Sequence, residues 1–156
     1  MRTVFHPFLP NGPIGDPVIW VDLLDEGHVV HATVRDLGDD AKRAHLDVLR
    51  EQHSGKLELF EADLLEPGRL DAALEGCDAL IHTATAVILA APDPQKQIID
   101  VAVKGTQNVL DSVARAPSVN RIVMTSSIAA VMSYDQQGKT YTEDDWCTSD
   151  DIWLDP

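Results

Sequence analysis

The stretch His28-Val29-Val30-His31-Ala32-Thr33-Val34 (residues 28–34) decides the fold of this 156-residue chain. Its β-branched residues favour a strand, and its nearly continuous apolar character indicates burial on both faces. Strands of that kind occur in parallel sheets whose two faces are covered by helices. Gly27 ends the helical pattern before the strand, and Asp39-Asp40 can cap a helix after it, so the strand is predicted to lie between two helices.

The same alternation of strand-like and helical stretches continues along the chain to about residue 131. Apolar runs indicate strands at 3–5, 28–34, 56–62, 78–83 and 119–125. Stretches with helical spacing separate them, at 15–26, 39–53, 65–75 and 94–115. This pattern predicts an α/β fold, a doubly wound parallel sheet of about five strands and four helices. Such sheets bind ligands at the carboxyl ends of their strands, near the point where the strand order reverses.

Composition restricts the kind of protein that the chain can be. A hydrophobic fraction of 44% with 24% charged residues is typical of a globular, soluble domain. No apolar run approaches the ~18 residues that span a bilayer, and residues 1–12 do not resemble a secretory signal. The two cysteines give no disulfide framework, and the six histidines form no metal-ligand cluster. We therefore expect a cytoplasmic protein with no membrane segment and no metal site.

Acidic residues dominate the charge and concentrate at the end of the chain. The net charge of −14 argues against nucleic-acid binding, because phosphates would be repelled. From Asp135 onward, seven acidic residues accompany a single basic residue, Lys139. The sequence thus predicts a folded domain over 1–131 and an acidic, irregular segment over 132–156. That segment is either a solvated tail or a docking surface.

The last predicted strand, 119–125, would close the sheet as an apolar edge that is open to pairing. We therefore expect a homo-oligomer formed through this exposed edge, aggregation, or a remainder of the domain that the 156 residues lack.

The first strand-to-helix turn, residues 8–15, is the expected position of a phosphate in such a sheet. Its Gly12-x-x-Gly15 spacing lets backbone N–H groups approach a pyrophosphate at a helix N-terminus. Turns of this kind are also common without any ligand, so the residues alone leave both interpretations open.

Longer stretches resemble the extended short-chain dehydrogenase/reductases, within the NAD-dependent epimerase/dehydratase group. The resemblance is carried by residues 12–15, 26–36, 59–64, 77–84, 103–110 and 121–131, in the family's order. It points to the branch of dihydroflavonol reductase and cinnamoyl-CoA reductase-like enzymes. The resemblance implies that residues 1–131 are an NAD(P)-binding Rossmann domain, truncated before the substrate lobe.

The resemblance also implies which residues bind the cofactor. Arg35 would face the adenosine 2′-phosphate, because its permanently charged planar fork suits a phosphate, and this favours NADP(H) over NAD(H). Without the resemblance, a solvated arginine at a strand end is an equal interpretation. Asp63 and Leu64 would hold the adenine. The full implied set is Gly12, Ile14, Gly15, Arg35, Lys42, Asp63, Leu64, Thr83, Ala84, Lys104 and Asn108.

In the family a serine, a tyrosine and a lysine act on the substrate carbonyl. Ser127 matches the serine, but the Tyr-x-x-x-Lys pair is absent: Gly138 follows four residues after Tyr134, and Asp145 four after Tyr141. Ser127 alone cannot donate the proton that the family's tyrosine supplies. The resemblance implies an NAD(P)(H)-dependent oxidoreductase that reduces a small-molecule carbonyl by hydride transfer. We expect this chain to be its cofactor-binding part and to be inactive alone.

The phosphate turn departs from the family's Thr-Gly-x-x-Gly-x-x-Gly pattern. Leu9 replaces the first glycine, while Pro10 and Pro13 lack the N–H that a phosphate would accept. Asp16 adds a negative charge at the helix N-terminus. These departures weaken the expected cofactor binding. Two alternatives therefore stay open, a non-catalytic dinucleotide-binding sensor module and a decayed fragment; within the family, a nucleotide-sugar epimerase/dehydratase is a third.

Overall fold

The structure, a computed structural model, describes residues 1–6, 17–85, 91–132 and 138–147. Strands and helices alternate within these residues as the sequence predicts. The strands are β1 (Arg2–His6), β2 (Val29–Val34), β3 (Leu57–Glu61), β4 (Ala79–His82) and β5 (Arg121–Met124). The α-helices are α1 (Pro17–Asp25), α2 (Asp40–Gln52), α3 (Asp71–Leu74) and α4 (Asp100–Ala114).

The five described strands form one parallel sheet in the order β3-β2-β1-β4-β5. Strand β1 is central: Thr3 lies opposite Val30 of β2 on one side and Ala79 of β4 on the other. The order therefore reverses between β1 and β4, which places the ligand crevice of a doubly wound sheet at the carboxyl ends of the strands. The predicted α/β, doubly wound fold is confirmed.

Each face of the sheet carries its own hydrophobic core. The face formed by Val30, Ala32 and Val34 packs against α1 and α2 in one buried cluster, completed by Trp20, Leu24, Leu46 and Leu57. The other face packs against α3 and α4 in a second cluster of Ala62, Leu70, Ala73, Leu74, Cys77, Leu80 and Val109. Strand β2 alternates its side chains between the two faces, and all but its first residue are buried. Burial on both faces is what the opening stretch predicts.

Strand β5 is an edge of the described sheet, and all four of its residues are exposed. Its apolar side chains Ile122, Val123 and Met124 are 40%, 48% and 45% exposed. The strand contains no proline, and Arg121 is its sole charged residue, so few of the features that usually protect edge strands are present. The expected apolar edge is present; self-association through it stays a prediction.

Two predicted helices differ in the structure. The helix predicted over 65–75 is confined to α3, because Gly68 takes a positive φ of 78° that ends helical geometry before Asp71. The helix predicted over 94–115 begins with a π-helical turn, Gln95–Ile99, and becomes α-helical at Asp100. The helix ends at Ala114, one residue before the predicted end, and Arg115 is its C-cap.

The chain divides into two compact units, Met1–Met124 and Thr125–Pro156. In the described residues of the second unit, Ile128–Ala130 form a 3₁₀ turn, and the Cys147 N–H donates to the Ala130 carbonyl at 2.9 Å. The predicted domains, 1–131 and 132–156, stay a prediction. Among the described helices, none combines the length and apolar character that crossing a membrane requires.

Candidate nucleotide-binding site

In the described residues of the first unit, three loops follow strands at the carboxyl edge of the sheet. They follow β2 (residues 35–39), β3 (62–70) and β4 (83–85). Val34 and Glu61 lie in register at the ends of β2 and β3, and the Ala62 N–H donates to the Val34 carbonyl at 2.8 Å. Because parallel strands bring their carboxyl ends to one edge, Arg35, Asp63, Thr83 and Ala84 come from neighbouring positions of the same crevice.

The turn after β2 is held by side chains on both of its sides. Asp36 accepts the Gly38 N–H through Oδ1 at 2.7 Å, and Glu61 accepts the Leu37 N–H through Oε2 at 3.2 Å. The Leu37 carbonyl in turn accepts a hydrogen bond from Nη1 of Arg43. This turn begins at Arg35, which is exposed. Arg35 therefore stands on backbone that is fixed before any ligand binds.

Arg43 lies in the first turns of α2 and joins three acceptors. Besides the Leu37 carbonyl, its Nη2 reaches Asp40 Oδ1 at 2.7 Å and its Nε reaches Asp47 Oδ2 at 2.9 Å. The hydrogen bond with Asp47 raises the pKa of Arg43, and the same bond lowers the pKa of Asp47. The predicted basic residue Lys42 is the preceding residue of α2, and its side chain lies outside the described residues.

The loop after β3 is tied to helix α4. Asn108 donates from Nδ2 to the Leu64 carbonyl at 2.8 Å, and a Cβ added at Gly105 would lie 3.2 Å from Leu64 Cβ. Asp63 accepts the Leu65 N–H at 2.8 Å, which folds the loop back on itself. Lys104 is exposed, with Nζ 3.9 Å from Asp100 Oδ2. The structure thus places Asp63 and Leu64 on a fixed loop beside Asn108.

The end of β4 supplies the third part of the edge. Thr83 and Ala84 follow the strand and are half-buried. His82, the last residue of β4, is 3% exposed, and burial lowers its pKa. An imidazole enclosed in this way agrees with a packed residue at a strand end.

Several implied site residues lie outside the described part of the first unit. Gly12, Ile14 and Gly15 lie outside the described residues, as do Leu9, Pro10 and Pro13. Ser127 belongs to the second unit, where it is exposed and its Oγ accepts the Ala129 N–H at 3.2 Å. There it caps the 3₁₀ turn, which is the ordinary structural role of a serine at a strand end.

Sequence reasoning missed Glu61, Arg43 and Gly105. The spacing of Arg43 from Asp40 and Asp47, three and four residues away on one helix, could have revealed the ion pairs. The contact of Arg43 with Leu37 carries no such signal, because it depends on how the turn folds back onto α2.

Comparison with known proteins identifies a family that matches most of the chain. The model of the 3-beta hydroxysteroid dehydrogenase/isomerase family matches residues 11–152. The chain is 42% identical over 140 residues to cinnamoyl-CoA reductase from Medicago truncatula, covering 84% of this chain and 42% of that protein. It is 37% identical over 131 residues to dihydroflavonol 4-reductase from Gerbera hybrida, covering 84% and 36% of the two chains. The chain therefore spans about two fifths of the length of these relatives.

A solved structure shares the same architecture. Gre2 from Candida albicans in complex with NADPH superimposes with a TM-score of 0.81 at 26% identity, covering 100% of this chain and 47% of that one. The fold, the matched family model and the relatives agree with the resemblance read from the sequence. The chain belongs to the 3-beta hydroxysteroid dehydrogenase/isomerase family, among the extended short-chain dehydrogenase/reductases.

Proposed function

We propose that this chain is the NADP(H)-binding part of a reductase that acts on small-molecule carbonyl compounds. The observation that carries the proposal is the fixed turn after β2, which starts at the exposed Arg35. Relatives named as reductases, and the NADPH named in the Gre2 complex, support the assignment of cofactor and reaction class.

The chemistry of this turn favours NADP(H) over NAD(H). In dinucleotide-binding sheets, an acidic residue after the second strand commonly binds the ribose 2′-hydroxyl of NAD. Here Arg35 occupies the first position after the strand, and one carboxylate oxygen of Asp36 already accepts the Gly38 N–H. The guanidinium fork of Arg35 can bind a 2′-phosphate through two charged hydrogen bonds. The described residues therefore fit the adenosine end of NADP(H).

We assign the adenine to the loop after β3. Asp63 retains a second carboxylate oxygen besides the one that accepts the Leu65 N–H, and Leu64 offers an apolar surface. Asn108 and Gly105 hold that loop against α4 without a ligand. A loop that is already ordered loses little conformational entropy on binding. Thr83 and Ala84 then line the cofactor at the end of β4, and Lys104 contributes charge from α4.

For the reaction, NADPH when bound supplies a hydride to the carbonyl carbon. We assign Ser127 to the substrate, as a hydrogen-bond donor to the carbonyl oxygen. The oxygen also needs a proton, and a serine hydroxyl of ordinary acidity is a poor general acid near neutral pH. Because the sequence contains no Tyr-x-x-x-Lys, we expect this chain to bind cofactor without turning over substrate.

Further parts of the proposal depend on composition and the sheet edge. The charge of −14 disfavours nucleic acid as a partner, and the exposed β5 favours a second copy of the chain. The two free cysteines fit a reducing compartment such as the cytoplasm.

Calorimetric titration of the 156-residue chain with NADPH and with NADH tests the proposal. We expect micromolar affinity for NADPH, weaker affinity for NADH, and loss of that preference in Arg35→Met. Incubation of the same chain with NADPH and a panel of aldehydes and ketones is expected to give no NADPH oxidation. Absence of binding at millimolar NADPH would contradict the proposal and favour a decayed fragment. Turnover would contradict the requirement for the tyrosine.

A further inference from the structure

We propose that Arg43 is a positioning residue for cofactor selection: its guanidinium fixes the turn that presents Arg35 to the 2′-phosphate of NADP(H). This inference rests on the proposed function, since it concerns how the same site distinguishes two nucleotides. Arg43 lies eight residues after Arg35 and is not among the residues that the family resemblance implies.

Leu37 is held by side chains on both sides of the turn. Leu37 is the second residue after Arg35, and its N–H donates to Glu61 while its carbonyl accepts from Arg43. Its side chain packs against the cluster that contains Trp20 and Val34. Both polar groups of one peptide residue are thus held by side chains from different elements, β3 and α2. Removing the Arg43 contact releases the α2 side of the turn while Glu61 still holds the other.

The geometry of the Arg43 guanidinium matches three acceptors. All three of its nitrogens donate hydrogen bonds: Nη1 to the Leu37 carbonyl, Nη2 to Asp40 and Nε to Asp47. A planar fork with fixed donor directions can join these three acceptors at once, whereas a lysine ammonium on a flexible stem cannot match the same geometry. The two carboxylates orient the guanidinium, and the guanidinium then holds the turn.

The charge of Arg43 also favours the nucleotide that carries the extra phosphate. A 2′-phosphate would approach a turn flanked by the carboxylates of Asp36, Asp40 and Glu61. Arg43 neutralises Asp40 and Asp47 at hydrogen-bond distance. Without it, those two carboxylates would repel the phosphate of NADPH and leave NADH, which has a hydroxyl there, nearly unaffected.

The test compares three variants of the whole 156-residue chain. Arg43→Met removes the fork and its charge, and Arg43→Lys keeps the charge without the fork. The matched control is Arg50→Met in the same helix, which also removes one positive charge beside Asp47, where Arg50 Nη1 lies 3.4 Å from Asp47 Oδ1. Among the described residues, Arg50 makes no hydrogen bond or ion pair with the turn, so Arg50→Met reports the effect of charge and helix alone. Affinity for NADPH and for NADH is measured by calorimetry for each variant.

We expect Arg43→Met to weaken NADPH binding about tenfold, while NADH affinity changes less than about twofold. The reason is that Arg43→Met removes a charged hydrogen-bond network on which only NADPH binding depends. Arg43→Lys should also lose most of the preference, and Arg50→Met should keep it. An unchanged NADPH-to-NADH ratio in Arg43→Met overturns the inference. Wild-type affinity in Arg43→Lys also overturns it, because charge alone would then suffice. Equal losses for both nucleotides would show a merely structural role. If the wild-type chain binds neither nucleotide, both the proposed function and this inference fail.

Discussion

The side-chain amide of Asn108 donates a hydrogen bond to the carbonyl oxygen of Leu64 at 2.8 Å, across 44 residues of sequence. The bond joins α4 to the loop after β3, where the adenine is proposed to bind. Gly105 lies one turn earlier in the same helix, and a Cβ added there would lie 3.2 Å from Leu64 Cβ, so the helix packs closely against the Leu64 side chain. The Asn108–Leu64 hydrogen bond and the close packing at Gly105 hold the loop after β3, one wall of the candidate site, against α4.

Substitution of Asn108 should therefore affect both stability and binding. Asn108→Leu keeps the approximate size of the side chain and leaves the Leu64 carbonyl without its donor, which we expect to lower the free energy of unfolding by about 1–3 kcal/mol. NADPH affinity should fall with it. The control is Gln107→Leu, which removes an exposed amide that bonds Asp111 on the same helix, and which should stay within about 0.5 kcal/mol. Urea unfolding measures the free energy of unfolding of both variants. Equal effects of the two substitutions would contradict the role of the Asn108–Leu64 bond.

Acidification should destabilise the chain through His82. Burial lowers its pKa from the ordinary value of 6.5, so the folded state favours the neutral imidazole. The contribution to stability is present above that pH and is lost as the pH falls below it, because the unfolded chain then takes up a proton more readily. The slope due to one such group is at most about 1.4 kcal/mol per pH unit.

His82→Gln should reduce this slope, measured by urea unfolding between pH 7 and the acid limit of folding. His45→Gln should act in the same direction, since burial also lowers the pKa of His45. An unchanged slope in His82→Gln would mean that folding does not lower the pKa of His82.

The two cysteines should differ in reactivity. Cys77 is 0% exposed, and burial raises its pKa to about 11, so its thiolate fraction near neutral pH is very small. Cys147, in the second unit, is half-buried and accessible in part. Under native conditions iodoacetamide should label Cys147 well before Cys77, and both should react in urea. Mass spectrometry of the digested chain measures this, and early labelling of Cys77 would show that the core around α3 opens.

The edge strand β5 should promote self-association of the chain. Val123→Lys places a charge in the middle of the exposed strand, which is a common means of preventing edge pairing. Val48→Lys, at a valine of α2 that is 51% exposed, adds the same charge away from the edge. In analytical ultracentrifugation we expect concentration-dependent larger species for the wild type and Val48→Lys, and a loss of them for Val123→Lys. A wild-type chain that stays monomeric would contradict the prediction.

The sequence predicts most of the fold because burial leaves a direct pattern in it. The apolar run around Val30 and the helical spacing around Val109 specify a parallel sheet and its covering helix, and the structure has both. The overestimated third helix shows the limit: Pro67 favours a helix start, but the positive φ of Gly68 is a backbone feature that spacing does not reveal.

The contacts within the candidate site are less predictable, because they depend on turns that leave no periodic pattern in the sequence. Arg35 and Asp63 follow strands and can be placed from the sequence alone, as ligand-binding positions in such sheets usually can. The contacts of Glu61 and Arg43 with Leu37 depend on a turn whose path the sequence does not encode by any periodicity.

The most direct test of the nucleotide site is an NMR titration of the ¹⁵N-labelled chain with NADPH, followed through backbone amide shifts. We expect saturating shifts concentrated at the carboxyl edge of the sheet, in residues 35–38, 63–65 and 83–85. Helix α2 beyond Asp47 should remain nearly unaffected. Shifts that are absent at millimolar NADPH, or that occur elsewhere and spare the amide of Leu37 and its neighbours, would contradict this expectation.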